Sequence, residues 1–171
     1  MKTPLTFLLS LTFLFLFSGS VYGQEEVKKE YWDNGKLRSE TLYKDGKIEG
    51  LRTGWYESGE KKNEATYKNG KKEGLGKRWY KSGKKHGELY YKNDKSIGLY
   101  TGWYESGGKK IEVPYKNDMM NGVEKKWYES SRKKSLKHFK DGIENGLRKE
   151  WDEDGTLRYE GNYVDGVEDI R

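Results

Sequence analysis

The chain contains no cysteine, two prolines and two histidines in 171 residues. Without thiols it can form no disulfide framework and no thiolate metal site, and it offers no cysteine for lipid attachment. His86 and His138 fall at unrelated positions of the pattern described below, so no symmetry brings them together. Each reads as a solvated strand residue rather than a metal ligand or a catalytic base. Pro4 and Pro114 are isolated, and no proline- or serine-rich hinge marks a second domain. Helical periodicity is also missing past residue 24. Acidic and basic residues replace one another at equivalent positions, as Glu57, Lys81 and Glu105 do, which dilutes any paired-carboxylate arrangement. The glycines follow turns between strands and open no helix, so there is no phosphate cradle. These absences point away from an enzyme, and no catalytic, cofactor-binding or metal residue is assigned.

What is present is charge and aromatic rings. Charged residues make up 36% of the chain and hydrophobic ones 32%, a balance that usually signals disorder. The aromatics, 15% of residues, argue otherwise because they recur at fixed phase. Trp55, Trp79, Trp103, Trp127 and Trp151 are spaced by 24 residues, with Tyr31 in the same column. A second column holds Tyr67, Tyr91, Tyr115, Phe139 and Tyr163, and a third holds Gly50, Gly74, Gly98, Gly122 and Gly146. A fixed period of this length means a repeat architecture. Units cut at 25–48, 49–72, 73–96, 97–120, 121–144 and 145–168 tile almost everything after the N-terminus.

That N-terminus is a different text. Lys2 is followed by a run of leucine and phenylalanine over 5–17, then by small residues ending at Gly23. The order is that of a secretory signal, and the apolar run is too short to span a membrane comfortably. We therefore expect a signal peptide over 1–23, cleaved after Gly23, and a repeat domain over 24–171 in a secreted or periplasmic, cell-envelope protein. A retained anchor is the alternative.

Each unit reads as a β-hairpin, because aromatic and turn residues alternate without a helical period. The first turn is expected to be a three-residue loop, Glu57, Ser58 and Gly59 in unit two, with glycine in the left-handed region. By parity this puts Leu51 and Trp55 on one face with Ala65 and Tyr67, and Tyr56, Tyr80, Tyr104 and Tyr128 on the other among charges. Asp94 and Asp118 replace the glycine of the second turn and Ser131 that of the first, yet these turns should survive. Pro114 lies inside a strand and should produce a bulge or broken pairing. A lone hairpin is marginal in water, so the units must stack edge to edge. The expected fold is all-β, an elongated single-layer antiparallel meander of about twelve strands. Trp and Tyr/Phe ladders should join its units, at roughly 0.2–1 kcal/mol per cross-strand pair.

Tyr43-Lys44-Asp45-Gly46 with Gly50, Tyr67-Lys68-Asn69-Gly70 with Gly74, and Phe139-Lys140-Asp141-Gly142 with Gly146 resemble the MORN-repeat variant family. Tyr163-Val164-Asp165-Gly166 repeats the signature without its last glycine. In bacteria such chains are grouped as YwqK-type antitoxins. The resemblance implies a hairpin scaffold that binds rather than catalyses.

The net charge is +6, and most units carry a basic pair. Acidic residues mixed through the same strands, and the export signal, argue against nucleic acid as the partner. A protein partner bound along an aromatic-and-lysine face is the leading reading, with Tyr56, Tyr80, Tyr104, Tyr128, Lys85, Lys110 and Lys126 as candidate binding residues. An anionic membrane lipid or envelope glycan is the alternative, and neutralisation of a toxin a third.

Overall fold

The computed structural model describes residues 23–170. The expected signal segment lies outside them, apart from Gly23.

Two turn chemistries set the path of the chain. At the first, the Tyr56 N–H donates to the Glu60 carbonyl at 2.8 Å and the Gly59 N–H to the Tyr56 carbonyl at 2.9 Å. Gly59 has φ 107°, so the three-residue loop read from the sequence is formed. The same pair of bonds recurs at Trp32, Tyr80, Tyr104, Tyr128 and Asp152. The second turn has two residues in succession at positive φ, as Asn69 (52°) and Gly70 (83°). Asp94 and Asp118 take the glycine's place there at 69° and 70°, and Ser131 takes it in the first turn at 67°. The turns survive these replacements as expected.

Between the turns run β1 (Glu25–Tyr31), β2 (Leu37–Lys44), β3 (Lys47–Trp55), β4 (Lys61–Lys68), β5 (Lys71–Lys72), β6 (Gly74–Trp79), β7 (Lys85–Lys92) and β8 (Lys95–Trp103). They are followed by β9 (Lys109–Lys116), β10 (Met119–Met120), β11 (Gly122–Trp127), β12 (Lys133–Lys140), β13 (Ile143–Trp151), β14 (Leu157–Val164) and β15 (Val167–Asp169). All pair antiparallel in one open sheet whose spatial order follows the sequence. The strands exceed the expected twelve because two are split, into β5/β6 and β10/β11. In addition, β15 follows the second turn of unit six as an extra strand.

The facial assignment drawn from parity is not what the sheet adopts. Leu51 pairs with Thr66, Arg52 with Ala65 and Gly50 with Tyr67. The cause is a second irregularity: Trp55 pairs with Lys61 but Gly54 with Asn63, leaving Lys62 as an extra residue. That bulge undoes the parity of the loop, so Ala65 and Tyr67 share a face with Arg52 instead of Leu51. Pro114 was expected to disturb its ladder. It pairs with Leu99 in an unbroken β8–β9 register, and on its other side the ladder opens at Asn121, whose N–H reaches the Pro114 carbonyl at 2.9 Å. Thr66 faces the same opening, with Glu73 in the role of Asn121. The gap therefore belongs to the glycine bulge at Gly74 and Gly122, and proline merely occupies a place where no N–H is needed.

A one-layer sheet buries little. Val113, 2% exposed, is the one buried hydrophobic side chain among the described residues, while Leu51 is 53% exposed. Stability must come from contacts between neighbouring strands, repeated unit after unit.

Candidate functional site

Units two to five each grip the next through the same set of atoms, and unit one holds unit two through the Trp32 indole N–H, which donates to the Trp55 carbonyl at 3.3 Å. The hydroxyls of Tyr56, Tyr80, Tyr104 and Tyr128 donate to the carbonyls of Trp79, Trp103, Trp127 and Trp151 at 2.7–2.8 Å. Burial holds the Tyr80 and Tyr104 phenols above their ordinary pKa, with nearby carboxylates such as Glu105 and Glu129 adding to the effect. They remain donors at any physiological pH. On the tryptophan side, Lys61, Lys85 and Lys109 lie over the rings of Trp79, Trp103 and Trp127 at 5.3, 4.9 and 5.4 Å. Each of these lysines is also ion-paired, with Glu64, Glu88 and Glu112. The expected ring-on-ring ladder is thus replaced by a cation–π relay in which a lysine separates successive tryptophans. At the opposite margin the second turns are laced too: the Gly70 N–H donates to Ile48 at 2.8 Å and the Asp118 N–H to Ser96 at 3.0 Å.

The bulge that resets the register also builds a surface. The extra residue is Arg38, Lys62, His86, Lys110, Lys134 and Arg158 in successive units. All are basic or histidine. Arg38 stacks over Trp32, Lys62 over Tyr56, Lys110 over Tyr104 and Lys134 over Tyr128, at 4.9–5.5 Å. His86 meets Tyr80 edge-on, with centroids 4.6 Å apart. Arg38, Lys62, Lys110 and Lys134 are exposed and form no ion pair among the described residues. At about 4.8 Å per strand they recur roughly every 10 Å along the sheet. The sequence showed the basic pairs but gave no register to reveal that one member of each pair forms a row.

Of the lysines singled out from sequence, Lys110 belongs to this row. Lys85 is engaged with Glu88 at 3.0 Å and Lys126 with Glu124 at 2.9 Å. The two histidines lie apart: His138 pairs with Val123 and holds the Leu147 carbonyl at 2.6 Å through Nδ1. Burial, then the charges of Arg78 and Lys110, lower the His86 pKa. Because the folded state disfavours the imidazolium, the unfolded chain binds the proton more readily. Stability from this group is therefore present above about pH 6.5 and lost as pH falls through the lower folded value. Urea midpoints measured from pH 7.5 to 5 should fall more steeply for the native protein than for His86→Gln; parallel curves would contradict the assignment.

On the same face a cleft of about 340 Å³ opens over units two to four. Its floor is small residues, Ala65, Gly76 and Gly87, and its walls include Tyr67, Tyr91, Tyr100 and Tyr115. The tyrosine rings lie across the glycines: a Cβ on Gly76 would come within 2.8 Å of the Tyr91 ring, and one on Gly87 within 2.9 Å of the Tyr100 hydroxyl. Arg52 and Arg78 line the cleft, flanking β4 opposite Ala65 and Asn63. In units five and six the corresponding face neutralises itself through Glu124–Lys126 and Arg148–Glu150. None of the glycines flooring the cleft had been singled out in the sequence.

No curated protein shows significant similarity to the chain. A family model described as MORN repeat variant matches residues 27–45, 48–69, 72–93, 97–117 and 144–165. The unmatched stretch falls on unit five, where Ser131 and Phe139 replace the usual glycine and tyrosine, although Tyr128 still anchors that hairpin to Trp151. The periodic turns, the glycine bulges and the matches across most of the chain agree: it belongs to the MORN repeat variant family, whose repeats are generally non-catalytic scaffolds that bind protein or lipid.

Proposed function

We propose that the protein is an exported, non-enzymatic scaffold that binds a protein partner along the face carrying Tyr56, Tyr80, Tyr104 and Tyr128. The observation that carries this reading is the row of Arg38, Lys62, Lys110 and Lys134, each on an aromatic ring, with none ion-paired and no second layer over the sheet among the described residues. The tyrosine hydroxyls are committed to the tryptophan carbonyls, so the partner meets ring faces and cations. Export is supported by Lys2, the apolar run over 5–17 and the small residues before Gly23. A partner that proved to be a toxin silenced by the scaffold would make the chain an antitoxin.

The test is covalent capture in the native cell followed by co-purification, with the native protein and with Lys62→Glu/Lys110→Glu/Lys134→Glu. The triple variant should retain its circular dichroism and lose capture by about tenfold or more. Capture by the native protein should persist at physiological ionic strength, since stacked aromatic contacts are not screened. Binding to anionic liposomes or wall fragments that vanishes at that ionic strength, with no protein captured, would favour the envelope-surface reading instead.

A further inference from the structure

The cleft over units two to four contains an arrangement that unit six completes and unit two leaves open. In unit six, Arg148 donates from Nε and Nη2 to a single oxygen of Glu150 at 2.9 and 2.5 Å, and from Nη1 to the Tyr163 hydroxyl at 3.1 Å. The hydrogen bonds from Arg148 hold the Glu150 carboxyl below its ordinary pKa. Arg52 stands four repeats earlier in the column of Arg148, and Tyr67 in that of Tyr163. The column of Glu150 holds Gly54. Unit two thus has the guanidinium and the phenol without the carboxylate.

The surroundings keep that place anionic in preference. Among the described residues neither Arg52 nor Arg78 makes an ion pair or a side-chain hydrogen bond. Lys72, also in the lining, sits over Tyr91 at 4.9 Å. The two carboxylates in the lining, Glu64 and Glu88, are already bound to Lys61 and Lys85. Two guanidiniums sharing one cleft without a counter-charge repel, and a planar carboxylate matches the donor fork of either.

We propose that this cleft seats an acidic side chain of the protein partner, its carboxylate held by Arg52 and Arg78 in the way Glu150 is held by Arg148. The inference rests on the partner-binding reading above and adds the chemistry the partner must present. A glutamate or aspartate is favoured over a sugar acid because the occupant the fold itself supplies in unit six is a glutamate side chain on an extended strand. The cleft crosses several strands, which suits a peptide lying along the sheet.

The test uses the purified protein and a fluorescein-labelled octaglutamate peptide, followed by anisotropy. Arg52→Gln/Arg78→Gln should weaken binding by about tenfold or more, since two charge-assisted contacts are lost. Lys133→Gln/Lys140→Gln removes the same charge from exposed positions of β12, outside the cleft and outside the cationic row, and should change it by about threefold or less. Gly54→Glu supplies the missing carboxylate from within and should close the cleft. The atoms nearest the Cβ it adds belong to the movable Asn63 amide, at 2.9 Å, so the variant should fold. Equal losses in the two double variants, or an unaffected Gly54→Glu, overturn the proposal. So does polygalacturonate binding as well as the peptide with the same dependence on Arg52 and Arg78. If cellular capture is lost in Lys62→Glu/Lys110→Glu/Lys134→Glu but survives Arg52→Gln/Arg78→Gln, the scaffold reading stands and the acidic-side-chain assignment fails.

Discussion

Removing four hydroxyl groups, as Tyr56→Phe/Tyr80→Phe/Tyr104→Phe/Tyr128→Phe, is expected to lower stability by about 2–6 kcal/mol. Each deletes one half-buried hydrogen bond of 2.7–2.8 Å to a tryptophan carbonyl of the next unit, with a net contribution of roughly 0.5–1.5 kcal/mol. The four sites are about 10 Å apart and share no partner, so their effects should add. Against the 5–15 kcal/mol available to a typical domain, the sum is a large fraction. It also falls wholly on the interfaces between hairpins, the terms on which a repeat array depends. Urea unfolding followed by tryptophan fluorescence measures it. The control is the other tyrosine column: the hydroxyls of Tyr43, Tyr67, Tyr91 and Tyr115 make no hydrogen bond among the described residues. Their replacement by phenylalanine should cost no more than about 0.5 kcal/mol each. Matching losses in the two sets would mean that the tyrosine–carbonyl bonds do not join the units.

The second large effect is expected at one glycine. Gly122→Ala should cost about 2–4 kcal/mol, because two penalties coincide there. The backbone sits at φ 122°, which side-chain-bearing residues rarely adopt. The added Cβ would also come within 2.8 Å of Cγ of Pro114, in a ring that cannot rotate away. Gly98 occupies the same column one unit earlier at φ 71° with nothing within 4 Å, so Gly98→Ala should cost only about 1–2 kcal/mol. Adding Pro114→Ala to Gly122→Ala should recover the contact penalty and leave the backbone one. Equal thermal shifts for the two glycine variants would show that the Pro114 contact relaxes freely.

The hairpins, their order and both turns were legible because turn chemistry is local. Gly59 and Asn69-Gly70 announce positive φ wherever they occur, and Asp94, Asp118 and Ser131 are among the few residues that can stand in for glycine. The family was legible from the same residues. The faces were not, because a bulge has no local signature: Lys62 could be read as an ordinary strand lysine. Its trace was the column Arg38, Lys62, His86, Lys110, Lys134 and Arg158, basic or histidine in every unit. The cleft was still less visible. It exists because Gly76 and Gly87 depart from their own columns, and a search for what repeats passes over what fails to repeat.

The first and last strands, β1 and β15, lie at opposite edges of the sheet. A tensile load applied through the chain ends would fall on one strand pair at a time, peeling the outermost hairpin while the remainder stays folded. Each yielding event would pay out about 70 Å, the contour of 24 residues at roughly 3.4 Å each less the width of the lost hairpin. A molecule drawn out between two anchorages would lengthen by a ratchet of even steps at low force, extending where a shear-loaded sandwich resists.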